Sequence, residues 1–553
     1  MRVADTAPIG DLFEIDVVDI RGVPTKVFRN APPSLRMIWD LSAGFAANDY
    51  LVSGDERVTY SDAHRDVRSV ARWLGEQGVQ PGDRVAIATR NTPEWVVAFW
   101  AVQAIGAVAV PLNAWWTGPE LAYGLADSGS VVLFADDERA ERIAPHLTET
   151  EVRANVLIRS ARAVPSSVRF ADVVAGADPP LPELVVDLDA DAAIMYTSGT
   201  TGRPKGAVQT QRNFGNFLMQ GVYFTMTNAT PAPASQPAPL PMATLLTLPL
   251  FHVGGLQSFL LPFTAAGGKL VLMHRWDAGE AVDIIEREGI TTIAGVPTTM
   301  FELLEAAKAK GAALESLGGI SSGATLVPPE LVRRIDTQTS SRAAPGNGYG
   351  LTETSGAAIA NFGPSYVANP ESVGKPISPV IDVRIVNAAG NEASLDEVGE
   401  IWLKGPTIVR GYLGRERETA EAFTDGWFHT GDLGRLDADG NLYVVDRLKD
   451  VIIRGGENIY AAEVEAALYE HADVAEAAII GVPDERLGET VGAVVRTREG
   501  SALREDDVRA HVAARLAAFK VPAHVWITDD QLPRNASGKV LKRELRDRFA
   551  EDS

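Results

Sequence analysis

Residues 196–206 read Tyr-Thr-Ser-Gly-Thr-Thr-Gly-Arg-Pro-Lys-Gly and gather three chemical resources in one short stretch. Gly199, Gly202 and Gly206 let the backbone turn tightly and aim several N–H groups in one direction. Thr197, Ser198, Thr200 and Thr201 add hydroxyl donors, and Arg203 and Lys205 add positive charge. Such a combination suits a polyphosphate. It is not the Walker A loop, because counting G-x-x-x-x-G-K-[ST] from Gly199 puts Pro204 where the second glycine belongs.

Two further stretches carry chemistry. Residues 347–354, Asn-Gly-Tyr-Gly-Leu-Thr-Glu-Thr, place Tyr349 between Gly348 and Gly350, so its ring face is open for stacking a purine beside Asn347. Thr352 and Glu353 then supply a hydroxyl and a carboxylate, which suit an α-phosphate and a hard magnesium ion. Near the C-terminus, Leu-Pro-Arg-Asn-Ala-Ser-Gly-Lys ends on Lys539, a cation on a Gly-containing loop. No Ser-His-Asp nucleophile pattern is present.

These groups need a framework to hold them. Ala192–Tyr196 reads as a short buried strand, so the polar loop begins where a strand ends. Residues 13–28 alternate around Arg21-Gly22 and predict a β-hairpin. Apolar spacing predicts a helix from Ser61, as N-cap, to Leu74, then a strand over Arg84–Ala88. A helix over Glu94–Ala104, a strand over Ala107–Pro111 and a further pair, Leu121–Asp127 and Val131–Ala135, repeat the pattern. Such alternation predicts an α/β fold with parallel sheets covered on both faces. Residues 229–241 hold five prolines and predict an extended loop, either plain solvent loop or a flap at a substrate channel.

Length and composition narrow the class. The 553 residues exceed one core. The chain has no cysteine, which excludes disulfides, thiolate zinc sites and cysteine nucleophiles and is compatible with a cytoplasmic location. A net charge of −22 argues against a protein that grips nucleic acid. No signal peptide or membrane-spanning run is read, which leaves peripheral membrane contact and a homodimer open.

Tyr196–Gly206 resembles the phosphate-binding segment of the adenylate-forming (ANL) superfamily, in its acyl-CoA synthetase and fatty-acid–CoA ligase branch. Later motifs follow in the family's order, and the resemblance covers roughly residues 35–550. It implies a large multi-subdomain N-terminal domain (1–447) with layered α/β sheets and a β-barrel-like part, a hinge (448–450) at Lys449, and a small mobile α+β C-terminal lid (451–553). Leu248–Gly255 contains the family's histidine, His252, which the resemblance places between acyl carboxyl and phosphates as a positioning group. Gly254, Gly255 and Ser258, with Gly323 and Ala324, are implied to line the acyl pocket. Asp432, in Thr-Gly-Asp, is implied to accept both ribose hydroxyls, as a carboxylate suits a vicinal diol, and Arg447 to contact ribose and phosphate. Glu353 and Thr197 are implied as the metal's residues, Lys539 as the catalytic lysine of adenylation, and Gly455, Gly456 and Glu457 as the face toward coenzyme A.

The resemblance implies an AMP-forming acid–thiol ligase. A small-molecule carboxylic acid and ATP, with Mg²⁺, give acyl-AMP and pyrophosphate, and coenzyme A then takes the acyl group. Gly254, two residues after His252, with Leu256, Phe259 and Leu260 nearby, favours a medium- to long-chain fatty acid. An aryl or polycyclic acid, and an enzyme that instead loads a carrier protein, are the alternatives. A nucleotide-binding scaffold without activity is disfavoured by Lys539, Glu353 and Asp432 occurring together.

Overall fold

The computed structural model describes residues 11–161, 167–176, 178–197, 203–228, 240–323, 325, 327–339, 343–498, 500–535 and 538–549. Ser198, Gly199, Thr200, Thr201, Gly202 and Ala324, and residues 229–239 of the proline-rich stretch, lie outside them.

Two large sheets dominate. The first runs, edge to edge, Gly206–Thr210, Asp191–Tyr196, Val108–Pro111, Arg84–Ala88, Ser130–Asp136, Ala154–Ile158 and Ser167–Arg169. It is parallel apart from Gly206–Thr210, which returns antiparallel beside Asp191–Tyr196. The second holds nine strands, with a parallel centre of Ala344–Leu351, Gly319–Gly323, Thr292–Gly295, Ala243–Leu246, Lys269–Leu272 and Asp49–Ser53 and antiparallel strands at both edges.

Helices Leu35–Ser42, Tyr60–Glu76 and Pro93–Ala104 pack between these sheets. One apolar cluster accordingly joins Val85 and Ile87 of the first sheet to Leu246 and Leu270 of the second through Trp39, Trp95 and Trp100. Pro93–Ala104 is apolar on every side because it is covered on every side. The helix predicted to be capped by Ser61 is capped by Thr59 instead. Its hydroxyl accepts from Asp62 N while Asp62 reaches back, a reciprocal capping box that starts the helix a turn's fraction earlier. The hairpin at Arg21-Gly22 forms as predicted, Ile15–Ile20 against Val23–Phe28.

A five-stranded antiparallel sheet (Asp382–Val386, Gly399–Lys404, Phe423–Thr424, Trp427–Leu436, Leu442–Arg447) takes the place of the barrel-like part. From Ile452 onward a separate five-stranded sheet with helices Ala461–Tyr469, Glu505–Ala513 and Lys542–Phe549 forms its own core around Ile459, Val464, Val491, Ala493 and Val495. The chain is thus a mixed α/β protein with a large N-terminal and a small C-terminal domain. Among the described residues no helix is long and apolar enough to cross a membrane.

Candidate active site

Asp432 sits on strand Trp427–Leu436, paired in register with Arg447 of the neighbouring strand. The strand is turned at Gly431, whose φ of +69° a side chain rarely adopts. Thr430 Oγ1 donates to Ile401 O at 2.7 Å and accepts from Asp432 N at 3.1 Å, which fixes the carboxylate's direction. Asp432 is 4% exposed, forms an ion pair with Arg447 Nε at 2.9 Å and accepts from Tyr349 Oη at 2.9 Å. The hydroxyl of Tyr349 is therefore engaged by the residue expected to hold ribose. That is a link which motif spacing does not reveal.

Tyr349 ends the parallel strand Ala344–Leu351, and the 3₁₀ turn Thr352–Thr354 follows at its carboxyl end. This is where ligands bind in open α/β sheets. Glu353 Oε1 accepts from Tyr412 Oη at 2.7 Å. Burial pushes the Glu353 carboxyl above the usual range, and the Tyr412 bond works against that shift. The Tyr412 ring carries Lys205 Nζ on its face, 4.3 Å from the centroid, and Lys205 O accepts from Thr197 N at 2.9 Å. Tyr412 thus joins the ends of two separate motifs, yet it stands in the plain run Val409–Leu413 with no motif around it.

A desolvated carboxyl facing the cleft beside Thr197 fits a divalent cation held by one side chain, with phosphate oxygens and water completing its shell. Among the described residues no group of three or more His, Asp or Glu that could hold a metal ion occurs.

His252 caps the helical turn Val253–Gly255, and its Nε2 is buried without a hydrogen-bond partner. Burial lowers its pKa to about 4, so the ring is neutral near pH 7. Residues 256–260 then form a π-helical turn, wider than an α-helix. Gly255 is required by packing, since a Cβ there would lie 2.3 Å from Pro249 O. At Gly254 a Cβ would meet only the Leu248 Cδ1 methyl, at 3.2 Å, a tight contact with a side chain rather than with backbone. His252, Gly254, Ser258, Gly323, Asn347, Gly348, Gly350 and Thr352 line one cleft together with Tyr349, Glu353, Asp432 and Arg447; Gly255 does not.

Lys539, from the small domain, lines that same cleft. Burial, reinforced by the Arg447 charge, lowers its pKa to about 8, against the pull of Asp432. Its loop is closed by Asn535 N to Lys539 O and Lys539 N to Asn535 Oδ1, both 2.9 Å. Lys449 also faces the cleft, and its pKa is lowered mainly by burial. Beside it, Arg546 of the last helix bonds Asp450 at 3.2 Å, and Lys542 pairs with Glu465 at 2.7 Å. Gly455, Gly456 and Glu457, by contrast, do not line the cleft. Gly455 and Gly456 form the exposed turn between Ile452–Arg454 and Glu457–Ile459, and Glu457 is the exposed first residue of the second strand, so the structure does not bring them to the nucleotide corner.

The cleft measures about 3440 Å³. That is several times a small-molecule pocket of roughly 300–1,000 Å³, because it includes the gap between the domains.

Known proteins resemble this chain over most of its length. The AMP-binding enzyme family model matches residues 42–413, and the AMP-binding enzyme C-terminal domain model matches 463–539. A feruloyl-CoA synthase from Amycolatopsis sp. is 39% identical over 496 residues, covering 90% of this chain and 95% of that protein. A 2-succinylbenzoate–CoA ligase from Geobacillus sp. (strain WCH70) is 34% identical over 499 residues, covering 89% and 93%. The o-succinylbenzoate CoA synthetase of Bacillus subtilis, solved with its acyl-adenylate intermediate, superposes with a TM-score of 0.76 at 30% identity, covering 92% and 97%.

Proposed function

We infer the substrate class and the division of labour in the site from one premise: the chain belongs to the AMP-binding enzymes of the adenylate-forming superfamily and is an AMP-forming CoA ligase. The observation that carries the reading is the burial of Lys539 in the same corner as Asp432 and Arg447, with Lys205, Tyr412 and Glu353 facing the same cleft. In this pose the enzyme is arranged for its first half-reaction.

A carboxylate oxygen attacks the α-phosphorus of ATP, the bond from that phosphorus to the bridging oxygen breaks, and pyrophosphate leaves. An anion must approach a polyanion, so the barrier is largely electrostatic. Lys539 and Lys205 offset that repulsion, Asp432 and Arg447 fix the ribose, and Thr197 and Thr352 donate to phosphate oxygens. Neutral His252 orients the acid without repelling or removing a proton. Magnesium, bound through Glu353, supplies further neutralisation of phosphate charge. In the second half-reaction the sulfur of coenzyme A attacks the acyl carbonyl and AMP leaves. Gly455, Gly456 and Glu457 serve that step after the small domain (451–553) pivots on the hinge at Lys449.

For the acid, an aryl-substituted carboxylic acid of feruloyl or succinylbenzoate size is the leading substrate. It is supported by the acids for which the relatives are named. This places the aryl alternative ahead of the aliphatic expectation. A medium- to long-chain acid keeps one observation in its favour: the apolar lining continues past Phe217 to Val222, Met226 and Met242. Thioester formation with ATP, magnesium and coenzyme A across arylalkenoic, aryl, polycyclic and aliphatic acids decides between them. A peak on aryl acids is expected, and a peak on unbranched aliphatic acids overturns the assignment.

A further inference from the structure

Arg534 stands five residues before Lys539, and its guanidinium meets three different parts of the molecule. Nη1 donates to Gly538 O at 2.5 Å, inside the loop that carries Lys539. Nη2 donates to Glu476 Oε1 at 2.5 Å, and Glu476 has only 2% of its side chain exposed. Nη2 also reaches Thr298 Oγ1 at 3.3 Å, on helix Pro297–Lys310 of the large domain. Gly538 itself lies against the residue before that helix, since a Cβ on it would approach Val296 Cγ1 to 2.9 Å.

We propose that Arg534 is a positioning residue for adenylation: it locks the Lys539 loop to the lid's buried Glu476 and registers it on Thr298 when the lid is closed. The planar fork suits this task, because two donors in fixed geometry hold a backbone carbonyl and a carboxylate at once. Glu476 is not left alone without it, as Arg496 Nε pairs with Glu476 at 2.8 Å and Leu532 N donates to it at 3.1 Å. The lid core therefore survives the loss of Arg534, while the aim of Lys539 does not. A small misplacement of a catalytic group is enough to slow the chemical step by orders of magnitude.

This inference rests on Lys539 acting in adenylation, so the experiment tests both. Acid-dependent pyrophosphate exchange and thioester formation from supplied acyl-adenylate are measured separately for the wild type, Arg534→Ala, Arg534→Lys, Thr298→Val and Lys539→Ala. Arg534→Ala is expected to lower kcat of exchange about 10-fold or more, with KM for ATP and acid and the thioester step each within about threefold. Thr298→Val is expected to lower exchange by a smaller factor, about threefold, and Arg534→Lys to remain low because one ammonium cannot replace the fork. Equal loss in both half-reactions, or full recovery with lysine, overturns the positioning role in favour of a charge needed only for the lid's fold. Unchanged exchange in Lys539→Ala overturns the underlying assignment instead.

Discussion

The hydroxyl of Tyr412 lies 2.7 Å from Oε1 of Glu353, a residue 59 positions away in the chain. One tyrosine thus holds the buried carboxylate from the side while its ring carries Lys205. Tyr412→Phe keeps the ring and removes only the donor. Losing a bond to a buried charged group costs about 1–3 kcal/mol. Pyrophosphate exchange is expected to fall about 10-fold, with a higher magnesium requirement, as the carboxyl becomes harder to ionise. Exchange within about twofold of wild type at every magnesium concentration would sink this role for the hydroxyl.

The lowered pKa of Lys539, about 8, sets a direction for pH dependence. The ammonium form is the useful one, and it is lost as pH rises through that value. In free enzyme, kcat/KM for exchange is expected to be level below it and to fall above it. Thioester formation from supplied acyl-adenylate is expected to lack that limb. Lys539→Arg moves the limb out of range, since a guanidinium stays charged. A limb that persists in that variant belongs to another group.

Adjacent glycines predict opposite outcomes. At Gly255 a Cβ meets Pro249 backbone at 2.3 Å, so Gly255→Ala must displace the chain and is expected to destabilise by about 1–3 kcal/mol, read as a shorter half-life on heating. At Gly254 a Cβ meets only the Leu248 methyl, at 3.2 Å, so Gly254→Leu is expected to fold once that side chain shifts by a few tenths of an ångström, and to narrow the cleft that Gly254 lines. Its kcat/KM for feruloyl-sized acids is expected to drop about 10-fold or more relative to small acids. A uniform loss across acids of all sizes argues against Gly254 lining the pocket.

Because the Gly455–Glu457 segment does not line the cleft and Gly456 has a φ of +91° that strains any side chain, the segment is tested at Glu457: Glu457→Ala is expected to leave exchange within about twofold while slowing the thioester step about 10-fold. The two steps are compared in stopped-flow or quench experiments. Parallel loss in both would mean the lid does not alternate between two poses.

Sequence reading captured what is local. Strand Arg84–Ala88 forms as predicted, since the short apolar run Val85–Ala88 between turn residues has few alternatives. Asp432 and Arg447 were legible as motifs, and their cross-strand pairing then follows from the register. The missed features are long-range or geometric. Nothing near Tyr412 marks it as Glu353's partner, and the Thr298 contact of Arg534 spans 236 positions. The wider turn at 256–260 and the Thr59 cap depend on backbone competition that residue types alone do not settle. The acid was the least legible part, because a glycine such as Gly254 does not report the shape of the cleft it lines.

Between Lys539's loop and the large domain, the contacts described are few: one guanidinium on Thr298 and one glycine on Val296. The hydrogen bond among them is worth about 1 kcal/mol, so this loop is held to the large domain by little contact energy of its own. On the proposed two-step reading, bound nucleotide and acid favour this placement by adding charge partners for Lys539, and departure of pyrophosphate withdraws them. A loop so lightly held is what that reading requires of a cleft serving two successive reactions, its own product setting when the loop lets go.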